Sequence, residues 1–246
     1  KMLGKDYESW ELSLQPHFGG KSRKRDYEIK VCLNGQDKVF RVIKEAIRDI
    51  FDNVTGYFCI YTDVTMEHNW KEDIIHCANT DYLTGLYNRR YLYAYLTQHR
   101  QSKPLCLFYI DIDNFKLIND LYGHKYGDKA LVYVSSYLTQ QLPDHHIFRI
   151  GGDEFIVALS DECDPQSIQR HAQELLEGIC NCAKDDPKLQ GLSASIGIVI
   201  DDEPFIPIDD LIRRGDSALY IAKQRGKNQY CLWEGEQKEA ADRIKK

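Results

Sequence analysis

The stretch RIGGDEFIVAL, residues 149–159, constrains the fold of this chain more than any other. Two apolar runs meet at a pair of glycines followed by two acids, a join too short for anything but a tight turn. Glycine supplies positive φ without a Cβ clash and Asp tolerates it, so the segment reads as a β-hairpin. Strands and helices alternate around it, and an antiparallel hairpin among them makes the sheet mixed rather than purely parallel. The same turn has a second reading. Glycines let a ligand approach the backbone, which would set Asp153 and Glu154 beside a phosphate or a metal. Whether the rest of the chain supplies matching acids and bases decides between them.

Downstream of Asp81 the pattern is regular. RRYLYAYLTQHR is amphipathic, and LCLFYIDID is a buried strand ending in acids. Residues 129–141 and 165–184 are predicted helical, and LSASIGIVI is a strand. IDDLIRRGDSALYIAKQRG is a helix stopped by Gly226, and NQYCLW is a last strand. The first 65 residues read instead as short strands and turns. DYEIKVCL and KVFRVIKEAIRD pair around Asn34-Gly35, and VTGYFCIYTDVT gives a third strand ending on Asp63. Between the two regions, MEHNWKEDIIHCANT has no Gly or Pro and spaces Trp70, Ile74 and Cys77 at helical intervals. Its narrow apolar stripe either pairs with a second copy or packs on its own domain. Three segments follow: a β-rich part over 1–65, a helical connector over 66–80, and an α/β domain over 81–246. The closing EGEQKEAADRIKK is charged and frayed or loosely helical.

A formal net charge of −6 argues against a general nucleic-acid or anionic-membrane binder. No apolar run reaches the ~18 residues that span a bilayer, and no signal peptide is present. The expectation is no membrane contact within this chain and a cytoplasmic location. Lys1 precedes Met2, which leaves room for further chain upstream, a membrane anchor included. Eight cysteines raise the question of disulfides or zinc, yet no CxxC pair occurs and Cys180 and Cys182 are spaced CxC on a predicted helix. Cys32, Cys59, Cys106 and Cys231 lie in apolar runs, so buried reduced thiols are expected.

The candidate chemistry begins in YIDIDNFKLINDLYGHKYGDKAL. Asp111 and Asp113 lie at i and i+2 where a strand ends and so point to one face. Solvated acids often finish strands, but here Lys116, Asn119, His124 and Asp128 follow. A strand-end carboxylate can hold Mg²⁺, which takes a few protein oxygens plus substrate phosphates. Lys116, near a helix start, adds positive charge where backbone N–H groups already favour anions. A carboxylate accepts from two adjacent donors such as guanine N1–H and N2–H₂, and an Asn amide donates to a purine acceptor. Asn119 and Asp128 could thus select guanine over adenine. Alternatively Asp128, after Gly127, is an N-cap for the helix KALVYVSSYL.

DYLTGLYNRRYL, the GGDEF hairpin and DSALYIAKQRGKNQY each have a plain structural reading as turn and helix start, hairpin, and capped helix. Together with the DxD strand and at this spacing they closely resemble the GGDEF domain of diguanylate cyclases, over about residues 81–233. The resemblance implies a palm-like nucleotidyl-cyclase fold and a bacterial, Mg²⁺-dependent (or Mn²⁺-dependent) nucleotidyltransferase. Such an enzyme joins two GTP into cyclic di-GMP, releases two pyrophosphates and acts as a homodimer. It further implies Asp111, Asp153 and the Ile112 carbonyl as metal ligands, with Asp153 assisting loss of the 3′-hydroxyl proton and Glu154 as a neighbouring catalytic acid. Asn119, Asp128, His124 and Phe115 would line the base pocket, and Lys116, Lys223 and Lys227 would meet phosphates. Position 227 is more often Arg in the family. Gly151 and Gly152 would leave room for the nucleotide. N-terminal to this domain, the order of strands closing with TGYFCIYTDVT resembles the C-terminal half of a PAS sensor domain.

One departure from the family is plain. Many relatives carry an RxxD product site shortly before the hairpin; here that stretch is LPDH, residues 142–145. Two rivals to the cyclase reading remain: a catalytically silent GGDEF domain serving as nucleotide receptor or partner platform, and a maker of mixed purine cyclic dinucleotides. Asp111, Asp153 and Glu154 weigh against the first, Asp128 against the second.

Overall fold

The computed structural model describes residues 24–33, 35–99, 105–160, 164–201 and 206–234. The closing charged segment from 235 onward and the first 23 residues of the β-rich part lie outside them. The chain divides into two compact units, Lys1–His76 and Cys77–Lys246.

The first unit is a three-stranded antiparallel meander in the order β1-β2-β3. Its strands are β1 (Lys24–Leu33), β2 (Gln36–Arg48) and β3 (Val54–Asp63). These are the strands that the Asn-Gly turn and the Asp63 terminus predict. Along β1 burial alternates with period two, and Cys32 falls on the exposed series. Cys59 is half-buried, so among the cysteines expected to be buried only Cys106 and Cys231 are. An apolar run on a sheet with one covered face still sends every second side chain outward. None of the seven described cysteines is in a disulfide.

The strand end is tied to the helix that follows, α1 (Thr65–Asn79). Asp63 accepts from the Thr65 amide at 3.0 Å and its hydroxyl at 2.6 Å, and receives Lys38 Nζ at 3.0 Å. These donors, the Thr65 hydroxyl foremost, hold the Asp63 carboxyl at about 2. None of the side chains of α1 is buried; Met66, Trp70, Ile74 and Ile75 are all exposed.

The second unit has a six-stranded sheet of order β4-β6-β7-β5-β8-β9. In chain order its elements are β4 (Tyr87–Asn88), α2 (Arg89–His99), β5 (Leu105–Ile112), α3 (Phe115–Tyr122), α4 (His124–Gln141), β6 (His146–Gly151) and β7 (Glu154–Ser160). Then come α5 (Pro165–Cys182), β8 (Ala194–Asp201), α6 (Ile208–Gln224) and β9 (Tyr230–Leu232). The outer strands β4 and β9 pair parallel and the inner pairs are antiparallel, so the sheet is mixed as the hairpin required.

Every residue of β5 is buried. Cys106, Phe108, Ile110 and Ile112 enter a core under α4 and α5, with Val134, Leu138, Ala172 and Leu175. Leu105, Leu107 and Tyr109 enter a second core under α2 and α6, with Leu92, Leu96 and Leu211. At ~1.5–3 kcal/mol per buried large apolar side chain, these two cores are the main favourable term of the fold. Asp164 caps α5 by accepting from Ser167 N at 3.0 Å, with Pro165 in the first turn. Among the described residues no helix is long and apolar enough to cross a membrane.

Candidate active site

The alternation along β5 decides where its terminal acid goes. Asp111 continues the series of Leu107 and Tyr109, so its carboxylate emerges on the α6 side, 6% exposed, with Lys223 Nζ 2.7 Å from Oδ2. Asp111 is register partner to Glu154 on β7, and directly opposed residues share a sheet face. Ile112 N donates to the Asp153 carbonyl at 3.3 Å, which keeps the hairpin turn beside the end of β5. Burial, reinforced by Asp153 and Glu154, pushes the Asp111 carboxyl up to about 6 even against Lys223. Burial and then Asp153 and Asp216 raise Glu154 as well. One buried acid with two more accessible ones repelling it forms a donor set suited to a cation. Among the described residues no three His, Cys, Asp or Glu side chains close into a complete metal cage; Mg²⁺ commonly takes one or two carboxylates and completes its shell with water and phosphate oxygens.

Two glycines bring Lys223 there. A Cβ on Gly197 of β8 would strike the backbone of α6 at Leu219 N and Gly215 O, and one on Gly215 would strike the Tyr109 ring. The α6 backbone therefore rests directly on the sheet at Leu219, and Lys223 lies one turn further on the same side. Beyond α6 the chain turns through Gly226, Lys227 and Asn228, all at positive φ. Lys227 Nζ then donates to Asn114 Oδ1 at 2.7 Å, and Asn228 N to Asp113 Oδ2 at 3.0 Å. Asp113, 4% exposed, also receives the Ser193 and Ser195 hydroxyls at 2.9 and 2.7 Å. It acts as a knot between three segments, while Lys223, Lys227 and the exposed Lys116 of α3 gather around the β5–α3 turn.

The base-pocket candidates lie on α3 and α4. A Cβ on Gly127 would collide with Asn119 Oδ1 and press on Phe115, so the Asn119 carboxamide fills the space over that glycine, one residue from Asp128. His124 and Asp128 are both exposed. The helix begins at His124 with Gly123 as its cap, five residues before the predicted start. Asp128 is thus inside the helix, and its reading as an N-cap is withdrawn. In the hairpin only Gly152 needs a glycine for its backbone, at φ +39; a Cβ on Gly151 would make ordinary contact with Glu154.

The sequence reading missed the clamp on this turn. Arg149 donates from Nε and Nη2 to the Gly152 carbonyl at 3.0 and 2.7 Å, and from Nη1 to Asp81 Oδ1 at 2.8 Å. Asp81 also accepts from Thr84 N and Oγ1. Burial would raise the Asp81 carboxyl, but these donors together hold it below its ordinary value. The DYLTG turn after the connector is thereby fixed to the glycine turn. Opposite charges in two motifs 68 residues apart were the only available signal.

The family model described as the diguanylate cyclase GGDEF domain matches residues 78–229. The chain belongs to the GGDEF family. A diguanylate cyclase of Vibrio cholerae is 35% identical over 218 residues, covering 81% of this chain and 64% of its own length. The cyclic di-GMP phosphodiesterase PdeR of Escherichia coli is 34% identical over 71% of this chain, which spans only 27% of that protein. The chain is therefore shorter than the relatives it matches, spanning less than two thirds of either. Among solved structures, the coiled coil and GGDEF domain of DgcB from Caulobacter crescentus in complex with c-di-GMP superposes with a TM-score of 0.63 at 26% identity, covering 69% of this chain and 93% of that one. The active GGEEF domain of a Vibrio cholerae diguanylate cyclase gives a TM-score of 0.50 at 33% identity, over 60% and 97%. The mixed sheet is the palm-like sheet of GGDEF domains.

Proposed function

We propose that this GGDEF chain is a diguanylate cyclase, condensing two GTP into cyclic di-GMP with release of two pyrophosphates. The observation that carries the reading is the convergence of Asp111, Asp153 and Glu154 with Lys223 at the end of β5, where Asp111 and Glu154 are raised by burial and by the carboxylates around them. Asp111, Asp153 and the Ile112 carbonyl would hold Mg²⁺. A bound divalent cation there supplies charge neutralisation for the triphosphate and a lowered pKa for the attacking 3′-hydroxyl. The chain's own residues do the rest. Asn119 and Asp128 orient guanine, Lys116, Lys223 and Lys227 draw the phosphates to the β5–α3 turn, and Asp153 stands where the hydroxyl proton leaves. Fixing geometry in this way supplies much of the rate in phosphoryl-type transfers. Each protomer offers one half-site, so turnover requires a homodimer whose sites face each other. The β-rich first unit is then a PAS-like input module acting through α1.

Position 142, where relatives carry the product-binding Arg, holds Leu142, 6% exposed and part of the core under α4 and α5. Restraint by product through that position is not expected. A receptor role without turnover is the competing reading, favoured by the match to PdeR. Incubation of the chain with GTP and Mg²⁺ and mass analysis of the product separates them. Cyclic di-GMP and pyrophosphate in a 1:2 ratio is the expected result; GTP binding without product would establish the receptor.

A further inference from the structure

The helix that carries Asp128 has a weak start. Gly123 precedes α4 at φ +81 with no side-chain capping bond, and no acid lies in the first turn. Ser, Thr, Asp or Asn at the cap would satisfy an amide that Gly123 cannot. Gly127, at the end of that turn, adds the cost of a glycine inside a helix. The segment that presents His124 and Asp128 therefore depends on support from outside the helix.

That support comes from the loop between α5 and β8, residues 183–193. Leu189 and Leu192 are buried in the core under α4 and α5. Asp186 N donates to the Ala183 carbonyl at 3.0 Å, and Leu189 N to the Asp186 carbonyl at 2.9 Å, which fixes the loop as consecutive turns. From this base the exposed Lys188 places Nζ 4.4 Å from the centre of the Tyr126 ring and 5.7 Å from that of Tyr122. Both distances lie within the range over which a ring face attracts a cation. Tyr122 is the last residue of α3, Tyr126 is in the first turn of α4, and their rings are 5.9 Å apart. One ammonium group thus joins the end of the helix carrying Asn119 to the start of the helix carrying Asp128. Asp186 adds a second tie by accepting from Lys129 of α4 at 2.8 Å. At its far end the loop meets the other side of the site, where the Ser193 hydroxyl donates to Asp113 at 2.9 Å.

We infer that the loop 183–193 is a positioning element of the base pocket, in which Lys188 acts through Tyr126 to hold the first turn of α4 ready for the base. The inference rests on the assignment of Asn119 and Asp128 to guanine. Lys188 is a positioning residue, its charge engaged by two rings rather than by nucleotide. Without it the turn must be ordered at the moment of binding, which weakens affinity and leaves the bound state unchanged.

Lys188→Met keeps the stem and removes the charge, and Lys188→Arg keeps a cation that stacks well on aromatic faces. Two measurements on the full chain test the clasp and the cyclase reading separately. Without nucleotide, amide exchange at Gly127 and Asp128 should quicken about threefold in Lys188→Met and keep the parental rate in Lys188→Arg. With nucleotide, the dissociation constant for GTP should rise about threefold in Lys188→Met, with kcat at saturating GTP unchanged, and return to the parental value in Lys188→Arg. In Tyr126→Leu, which lacks the ring, adding Lys188→Met should bring no further loss. A charge acting directly on the triphosphate would lower affinity with or without that ring. Unchanged exchange in Lys188→Met, no rescue by Lys188→Arg, or additive losses in the double variant would each overturn the inference. A parent chain that bound no GTP would overturn the base-pocket assignment, and the inference with it, whatever the exchange rates.

Discussion

Gly127 and Asp128 illustrate how one residue's absent side chain positions another's present one. The Asn119 carboxamide occupies the volume a Cβ at 127 would need, over the residue that precedes Asp128 in the helix. If that pair reads guanine, Asp128→Ser removes the acceptor for two guanine donors and the repulsion that rejects adenine N1. Discrimination against ATP should fall by about tenfold or more, measured in competition assays. A second residue-scale prediction concerns the Asp81–Arg149 pair, whose side chains are 18% and 13% exposed. The Asp81 carboxyl is depressed below 3.8 in the folded chain, so its stabilisation is complete at neutral pH and fades as pH falls through the lowered value. Asp81→Asn should therefore cost about 1–2 kcal/mol at pH 7. The gap in melting temperature between the variant and the parent should close on acidification well below pH 4. A gap that stayed constant would mean the charge of Asp81 contributes nothing.

At the scale of elements, α6 is located by two glycines on opposing surfaces. Gly197→Ala must push a methyl into the α6 backbone, which cannot give way as a side-chain tip can. Overpacking of this kind costs about 1–3 kcal/mol, and the lost Lys223–Asp111 register should lower turnover as well. Chemical denaturation with a parallel rate measurement checks both. Strand identities, the hairpin and the period-two face of Asp111 were legible in the sequence because each is set by neighbours within a few residues. The start of α4 was not. GHKYGD looks like a loop because glycine disfavours helix interiors, and only the Asn119 carboxamide packed over Gly127 explains its place there. The tie between Asp81 and Arg149, 68 residues apart, left no local trace either. Cys32 was misread for a related reason: burial of a strand's second face depends on whether another layer covers it.

For the molecule as a whole, the connector is the device whose phase would matter most. With Met66, Trp70, Ile74 and Ile75 exposed, α1 offers a stripe to a second copy. One residue inserted between Glu72 and Asp73 turns everything beyond by ~100°, and seven return it to within about 20°. Specific activity should drop at least about tenfold on the single insertion and largely recover on the heptad, with GTP affinity constant throughout. Equal activity across the series would exclude helix pairing as the means of bringing two half-sites together. The burial of β5 has its own consequence, in time rather than in space. A strand buried along its whole length, with β7 and β8 bonded on either side, exposes its amides only when the second unit opens entirely. Deuterium should enter at Tyr109, Ile110 and Asp111 at the rate of that global opening, far later than at the exposed residues of α3. The carboxylate at the end of β5 is mounted on the last part of the protein to let water in, and no partial loosening of the surface would carry it out of place.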